Sequence, residues 1–222
     1  MAPILPNITL ESGKQPQHSI IWLHGLGADG NDFVSMVEEL KLPVAVRYIF
    51  PHAPQRPVTI NGGFVMRAWY DILLPNLDAL QDAAGIQQSQ ASLEALIAQE
   101  VGRGIAPGNI FLAGFSQGGA VVLHTGLRQT VALGGVIALS TYLPLAELAV
   151  AAITPAARQI PAFMGHGRYD PVVPLLLGVT SKGTLKHLGM EVEWHDYPMQ
   201  HSLCAQEVRD IEAWLSKRLL NA

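Results

Sequence analysis

The chain carries little charge and a single sulfhydryl. Charged residues make up 14% of its 222 positions and the formal net charge is −4. No basic face is therefore present to hold nucleic acid, and no polybasic segment to hold an anionic membrane surface. One cysteine, Cys204, excludes an internal disulfide and fits a reducing compartment. No group of His, Cys and carboxylate residues shows metal-ligand spacing, so no metal is expected. Residues 1–14 lack a basic stretch followed by an apolar core, so no signal peptide is readable and a cytoplasmic location is expected. Repeats, low-complexity tracts and linkers are also missing, which favours a single domain over 1–222. The uncharged stretch 129–146 invites a membrane reading, but Gly134, Gly135 and Pro144 break it into a short buried strand and a loop.

What remains is apolar: 49% of the residues. Short apolar runs alternate with longer helical patterns. The runs predict strands over 18–23, 44–50, 109–113, 133–139, 160–165 and 190–196. The longer patterns predict helices over 31–40, 76–101, 117–129, 174–188 and 204–220. In the last, Val208, Ile211, Leu215 and Leu219 recur at spacings of three and four. Strand–helix alternation of this kind implies a mainly parallel sheet covered by helices on both faces. Functional groups in such sheets gather at the carboxyl ends of the strands. One region fits no element. Residues 51–75 are rich in Pro and Gly yet carry apolar bulk, and a long excursion of that type usually caps a site. Within it, Phe64, Trp69, Leu73 and Leu74 are the candidates for lining a groove that takes an acyl group.

Gly114-Phe115-Ser116-Gln117-Gly118 matches the G-x-S-x-G elbow and stands between an apolar strand and a helical run, the context that motif requires. A serine there sits on a sharp turn, and side chains at the flanking glycines would strike the neighbouring strand and helix. The hydroxyl is lifted above the sheet at a helix N-terminus, where developing negative charge is favoured. Serine needs a histidine to take its proton and a carboxylate to fix that imidazole. On this architecture the chain order is Ser, acid, His. His201 lies in the loop beyond the last strand, whereas its rival His195 lies within the strand pattern and His124 and His187 lie in helices. Asp170 follows the strand over 160–165. Its competitor Asp196 ends the strand that leads to His201, a poor place from which to approach the opposite side of the ring.

His24-Gly25-Leu26-Gly27-Ala28-Asp29-Gly30 follows the first clear strand, where esterases place a glycine loop that supplies a backbone N–H to the oxyanion. The N–H groups of Leu26 and Gln117 are the expected donors. Gly25, Gly27 and Gly30 also spell G-x-G-x-x-G, the fingerprint of a dinucleotide-binding oxidoreductase. That fingerprint needs an acid about 20 residues on to hold the ribose. The second strand instead ends Tyr48-Ile49-Phe50-Pro51-His52. The oxidoreductase reading also leaves the serine elbow without a purpose.

Six motifs in order carry a family resemblance: Leu23-His24-Gly25-Leu26-Gly27, Pro51-His52-Ala53-Pro54, the MRAWYDI run over 66–72, GFSQGG over 114–119, His166-Gly167 with Asp170, and YPMQHS over 197–202. From about His18 to the last helix the chain resembles the phospholipase/carboxylesterase family, which includes bacterial carboxylesterases and acyl-protein thioesterases. Trp69-Tyr70 looks more like the bacterial branch. The resemblance implies an α/β-hydrolase with little or no cap domain, no cofactor, and hydrolysis of carboxylic esters of small-molecule or lipid-like type. It carries the nucleophile onto Ser116, the acid onto Asp170, the base onto His201 and the oxyanion donors onto Leu26 and Gln117. Thioesters and lysophospholipids fall within the family's range, and a homodimer is compatible with it.

Overall fold

The computed structural model describes residues 3–77 and 79–220; Asp78, which falls inside the helix expected over 76–101, lies outside them. Three strands open the chain: β1 (Asn7–Glu11), β2 (His18–Leu23) and β3 (Val46–Pro51). A short hairpin, β4 (Gln55–Val58) and β5 (Phe64–Arg67), follows, and then β6 (Ile110–Phe115), β7 (Gly135–Leu139), β8 (Ala162–Gly167) and β9 (Val192–Tyr197). Among the described residues seven of these form one sheet in the order β1-β3-β2-β6-β7-β8-β9, while β4 and β5 pair only with each other. β1 runs antiparallel to β3 at the edge; the other pairings in the large sheet are parallel. This is the α/β-hydrolase architecture.

Parallel strands covered on both faces read as unbroken apolar runs, and all six residues of β2 are buried. The period of two then sorts their side chains. Ile21, Leu23 and Leu112 join one apolar cluster, and Ile20, Trp22, Phe111 and Ala113 join another on the opposite face. Helices α1 (Met36–Glu39) and α6 (Ala205–Leu219) cover the second cluster, through Met36, Ile211, Trp214 and Leu215. Helices α2 (Ala83–Gly102), α3 (Gln117–Gly126) and α5 (Leu175–His187) cover the first; α4 (Ala146–Ala152) adds Ala149.

β3 lies on one side of β2 and β6 on the other. Chain direction across the sheet therefore reverses at β2, and the segments leaving β2 and β6 turn to opposite faces. A crevice opens between their carboxyl ends, the place where such sheets bind ligands.

Several elements differ from expectation, and β1 and α4 form where none was expected. The helix expected over 31–40 is a 3₁₀ turn, Gly30–Phe33, followed by the four-residue α1. The helix expected from residue 76 begins at Ala83, where the Asp82 carboxylate accepts the Gly85 N–H at 2.9 Å. The segment 51–75 contains the β4–β5 hairpin, whose Pro57 is tolerated because this ribbon has no further neighbour. The uncharged stretch resolves into the buried strand β7 and the loop that follows it. Among the described residues, no helix is long and apolar enough to cross a membrane.

Glu207, in the first turn of α6, is fully buried, and neither of its carboxyl oxygens makes a well-formed hydrogen bond. Burial, and then the Asp210 charge, push its carboxyl up to about 8 against a weaker pull from the backbone at Cys204. The folded chain thus holds a proton that the unfolded chain, titrating near 4.5, releases. This stability is fully present below 4.5 and is lost as pH rises towards 8. His24 and His124 work in the opposite sense. Burial lowers both to about 4 from 6.5, so the stability of their neutral forms is lost as pH falls through that window. The two limbs place maximal stability near pH 6.5. Glu207→Gln should remove the alkaline limb, raising the melting temperature at pH 8.5 by about 2–4 °C for each kcal/mol recovered and leaving pH 5 nearly unchanged. Equal melting shifts at both pH values would refute the protonated carboxyl.

Candidate active site

The structure brings Ser116, His201 and Asp170 together at the crevice from three separate loops. Ser116 follows β6 directly, with φ 53° and ψ −120°, in the left-handed half of backbone space that a serine rarely occupies. The neighbours enforce that conformation. The Ser116 N–H donates to the Leu139 carbonyl at 2.8 Å, and the Thr141 hydroxyl donates to the Ser116 carbonyl at 2.7 Å.

The flanking glycines are required by contact. A Cβ on Gly114 would collide with the Gly118 backbone, and one on Gly118 would stand 2.5 Å from the Leu23 carbonyl oxygen and 2.6 Å from that of His24. Alanine normally stabilises a helix position by about 1 kcal/mol over glycine. Here Gly118→Ala should instead destabilise by about 1–3 kcal/mol, because both obstructing atoms are backbone. The accompanying shift of the elbow should lower kcat/KM about a hundredfold. A denaturant titration reads the sign, and a stabilised variant would contradict this packing.

His201 lies in the loop between β9 and α6. Its Nε2 is 2.9 Å from Ser116 Oγ and its Nδ1 is 2.7 Å from Asp170 Oδ2. The Phe115 ring packs on the imidazole with centroids 4.7 Å apart. Asp170 sits in the loop after β8, and its other oxygen accepts the N–H groups of Val172 and Val173, each at 2.8 Å. Burial pushes this carboxyl up, but the hydrogen bonds from His201, Val173 and Val172 outweigh it and hold the group below the usual range. Asp170 is therefore an anion at neutral pH with all its acceptor work defined. Gly167 lets this loop meet the histidine loop, since a Cβ there would run into the Gln200 and Met199 carbonyls.

The rival residues lie elsewhere. His195 stacks on Phe163 and pairs with Glu193 at 3.0 Å. Asp196 pairs with Arg168. Cys204 is the half-buried N-cap of α6.

Gln117 is the first residue of α3, where helical N–H groups have no internal acceptor. Neither its N–H nor that of Leu26 is engaged by a described residue. Leu26, Ser116 and Gln117 line one cavity of about 290 Å³. The Gln117 side chain is committed to structure: it accepts the Trp69 N–H and donates to the Tyr70 carbonyl, both at 2.7 Å. Trp69 in turn donates its indole N–H to the His24 carbonyl at 2.8 Å. His24 donates from Nδ1 to the Gly25 carbonyl at 2.7 Å and accepts the Ala53 N–H on Nε2 at 3.1 Å, a pattern that needs the neutral ring. The Leu26 loop is thereby held from both ends, because the Gly27 N–H also donates to Arg67 at the end of β5.

Gly25, Gly27 and Gly30 are accounted for by this packing. Gly27 has φ +79°, and a Cβ on Gly30 would stand 2.5 Å from the Phe50 carbonyl oxygen. The segment after them forms only a 3₁₀ turn and not the helix whose N-terminus a pyrophosphate requires. The dinucleotide reading fails on that point.

None of the four residues expected to line an acyl groove stands directly in the wall of the cavity at Ser116. Phe64 is 68% exposed at the hairpin, and Trp69 is buried as the brace just described. Leu73 and Leu74 line a small recess that adjoins the Ser116 cavity, the two sharing Tyr70, Ile72, Leu77 and Tyr142. The cavity at Ser116 is walled instead by Ile60, Tyr70, Ile72, Tyr142, Val172 and Val173, among others. Val172 and Val173 follow Asp170 directly, so the acid loop also builds a wall. Among the described residues, no group of three His, Cys, Asp or Glu side chains could hold a metal ion.

The family model described as Phospholipase/Carboxylesterase matches residues 6–219. The chain belongs to the phospholipase/carboxylesterase family. Membership makes it an esterase-type hydrolase. It is 40% identical over 223 residues to acyl-protein thioesterase 1 of Gibberella zeae, covering 96% of this chain and 95% of that protein. Among solved structures, SOBER1 of Arabidopsis thaliana superposes with a TM-score of 0.86 at 32% identity, covering 91% of this chain and 99% of SOBER1. Acyl-protein thioesterase 2 of Zea mays gives 0.85 at 29% identity, covering 97% and 99%.

Proposed function

We propose that the chain hydrolyses carboxylic esters of small apolar acyl groups through a Ser116–His201–Asp170 triad and an acyl-enzyme. The observation that carries this reading is the shared cavity. The Ser116 hydroxyl opens into a space walled mostly by aliphatic and tyrosine side chains, beside two unengaged N–H groups.

Ser116 attacks the ester carbonyl carbon while His201 Nε2 accepts its proton, and Asp170 holds the opposite ring nitrogen in its protonated form. The N–H groups of Leu26 and Gln117 hold the tetrahedral oxyanion, each worth about 10²–10³ in turnover. The leaving oxygen departs with the proton from His201. Water, deprotonated by the same ring, then releases the acid.

A second reading has its own support: 40% identity to a protein named acyl-protein thioesterase 1 favours thioesters with the same machinery. Lysophospholipids present the same ester carbonyl on a longer acyl chain. A series of p-nitrophenyl esters from C2 to C16, run beside matched thioesters and a lysophospholipid, decides among them. Highest kcat/KM at short to medium acyl esters is expected from a cavity of about 290 Å³. A preference for long chains, or for the lysophospholipid, would overturn the small-acyl assignment.

A further inference from the structure

A second cavity, also of about 290 Å³, opens onto His201 without touching Ser116. Phe33, Met36, Phe115 and Leu203 form its apolar walls, and Asp32 and Ser202 supply its polar groups. It shares no lining residue with the cavity around Ser116. The hydrogen-bonded pair Ser116–His201 thus bridges two separate pockets, one touching each partner.

The chemistry assigns different halves of a substrate to these two partners. After attack, the acyl carbon is bonded to Ser116 Oγ. The bond from that carbon to the leaving oxygen or sulfur then breaks, its electron pair going to the leaving atom, which takes the proton from His201 Nε2. The acyl half therefore stays with the serine, and the departing half must lie within reach of the imidazole.

Apart from His201, which is cationic only while it carries the Ser116 proton, the charge lining the second cavity is negative. Among the described residues, no lysine, arginine or histidine pairs with the Asp32 carboxylate. Asp29, which lies close enough to repel it, adds a second negative charge on the same segment. Asp32 is solvent-exposed at the cavity mouth; partial burial, and then the Asp29 charge, raise its carboxyl above the usual range, and a cation would offset the Asp29 repulsion. Phenyl rings beside a carboxylate suit an ammonium group, which binds aromatic faces as well as the anion.

We propose that this Asp32 cavity is a leaving-group subsite that prefers an alcohol or thiol bearing an ammonium group. The proposal rests on the ester-hydrolase reading of Ser116 and His201.

Two esters of one acid test it: choline butyrate and 3,3-dimethylbutyl butyrate, whose leaving groups share a shape and differ in a single charge. The wild-type chain should favour the cationic ester in kcat/KM by about three- to tenfold. Asp32→Asn should bring that ratio to about one, and Asp32→Lys should drive it below one. The thermal melts should stay close to wild type, because the Asp32 side chain makes no hydrogen bond to a described residue. A wild-type ratio near one, or the same ratio in all three proteins, would overturn the subsite while leaving the esterase reading intact. If p-nitrophenyl butyrate and both test esters are untouched by the wild-type chain, the esterase reading falls and the subsite falls with it.

Discussion

Replacing Ser116 by alanine should lower kcat on p-nitrophenyl butyrate about 10⁶-fold and leave the melting temperature within about 2 °C of wild type. The two expectations have separate causes. The loss follows because, among the described residues, His201 Nε2 is hydrogen-bonded to no hydroxyl or thiol but Ser116 Oγ, at 2.9 Å. The unchanged melt follows because the strain at residue 116 belongs to its backbone, with φ 53°, and alanine meets the same strain. Ester turnover retained at a tenth of the wild-type rate would assign the chemistry to another group.

Asp170→Asn should cost about 10⁴-fold in kcat, and the reason lies in hydrogen-bond direction. One Asp170 oxygen accepts two backbone N–H groups, from Val172 and Val173. An asparagine keeps those bonds only by placing its carbonyl there, which turns its NH₂ towards His201 Nδ1. The ring must then carry its proton on Nε2, where it can no longer accept one from Ser116. Steady-state kinetics at pH 7.5 measures the loss. An effect below tenfold would mean that Asp170 does not set the tautomer, and that the 2.7 Å contact with His201 is structural.

The parts of the site visible in the sequence are those that local chain chemistry dictates. Gly114 and Gly118 are legible because a sharp strand-to-helix turn tolerates no Cβ at either place. His201 and Asp170 are legible because both follow apolar runs at strand ends, where this architecture gathers functional groups. β2 is bounded correctly for a related reason: six consecutive buried residues leave little ambiguity.

What the sequence hides depends on contacts between distant segments. Trp69 reads as apolar groove lining, yet its indole N–H and backbone N–H are spent on His24 and Gln117. Phe64 reads as lining and is exposed. The walls supplied by Val172, Val173 and Tyr142 come from the acid loop and the segment after β7, which composition alone gives no reason to place beside residues 60–77. Residues 31–40 carry an apolar pattern with helical spacing, but packing on β2 and β3 resolves them into two short turns. Tertiary contact overrides propensity there. Strand β1 carries no legible signal in the sequence, because a half-buried edge strand paired only with β3 shows no alternation of buried and exposed residues.

The direct measurement is intact-mass analysis after exposure to a fluorophosphonate, followed by peptide mapping of the adduct. One phosphonyl group on Ser116 is the result predicted, with no labelling of the Asp170→Asn chain on the same timescale. Absence of an adduct on the wild-type chain, or its appearance on a residue other than Ser116, would contradict a nucleophile raised at the β6–α3 turn.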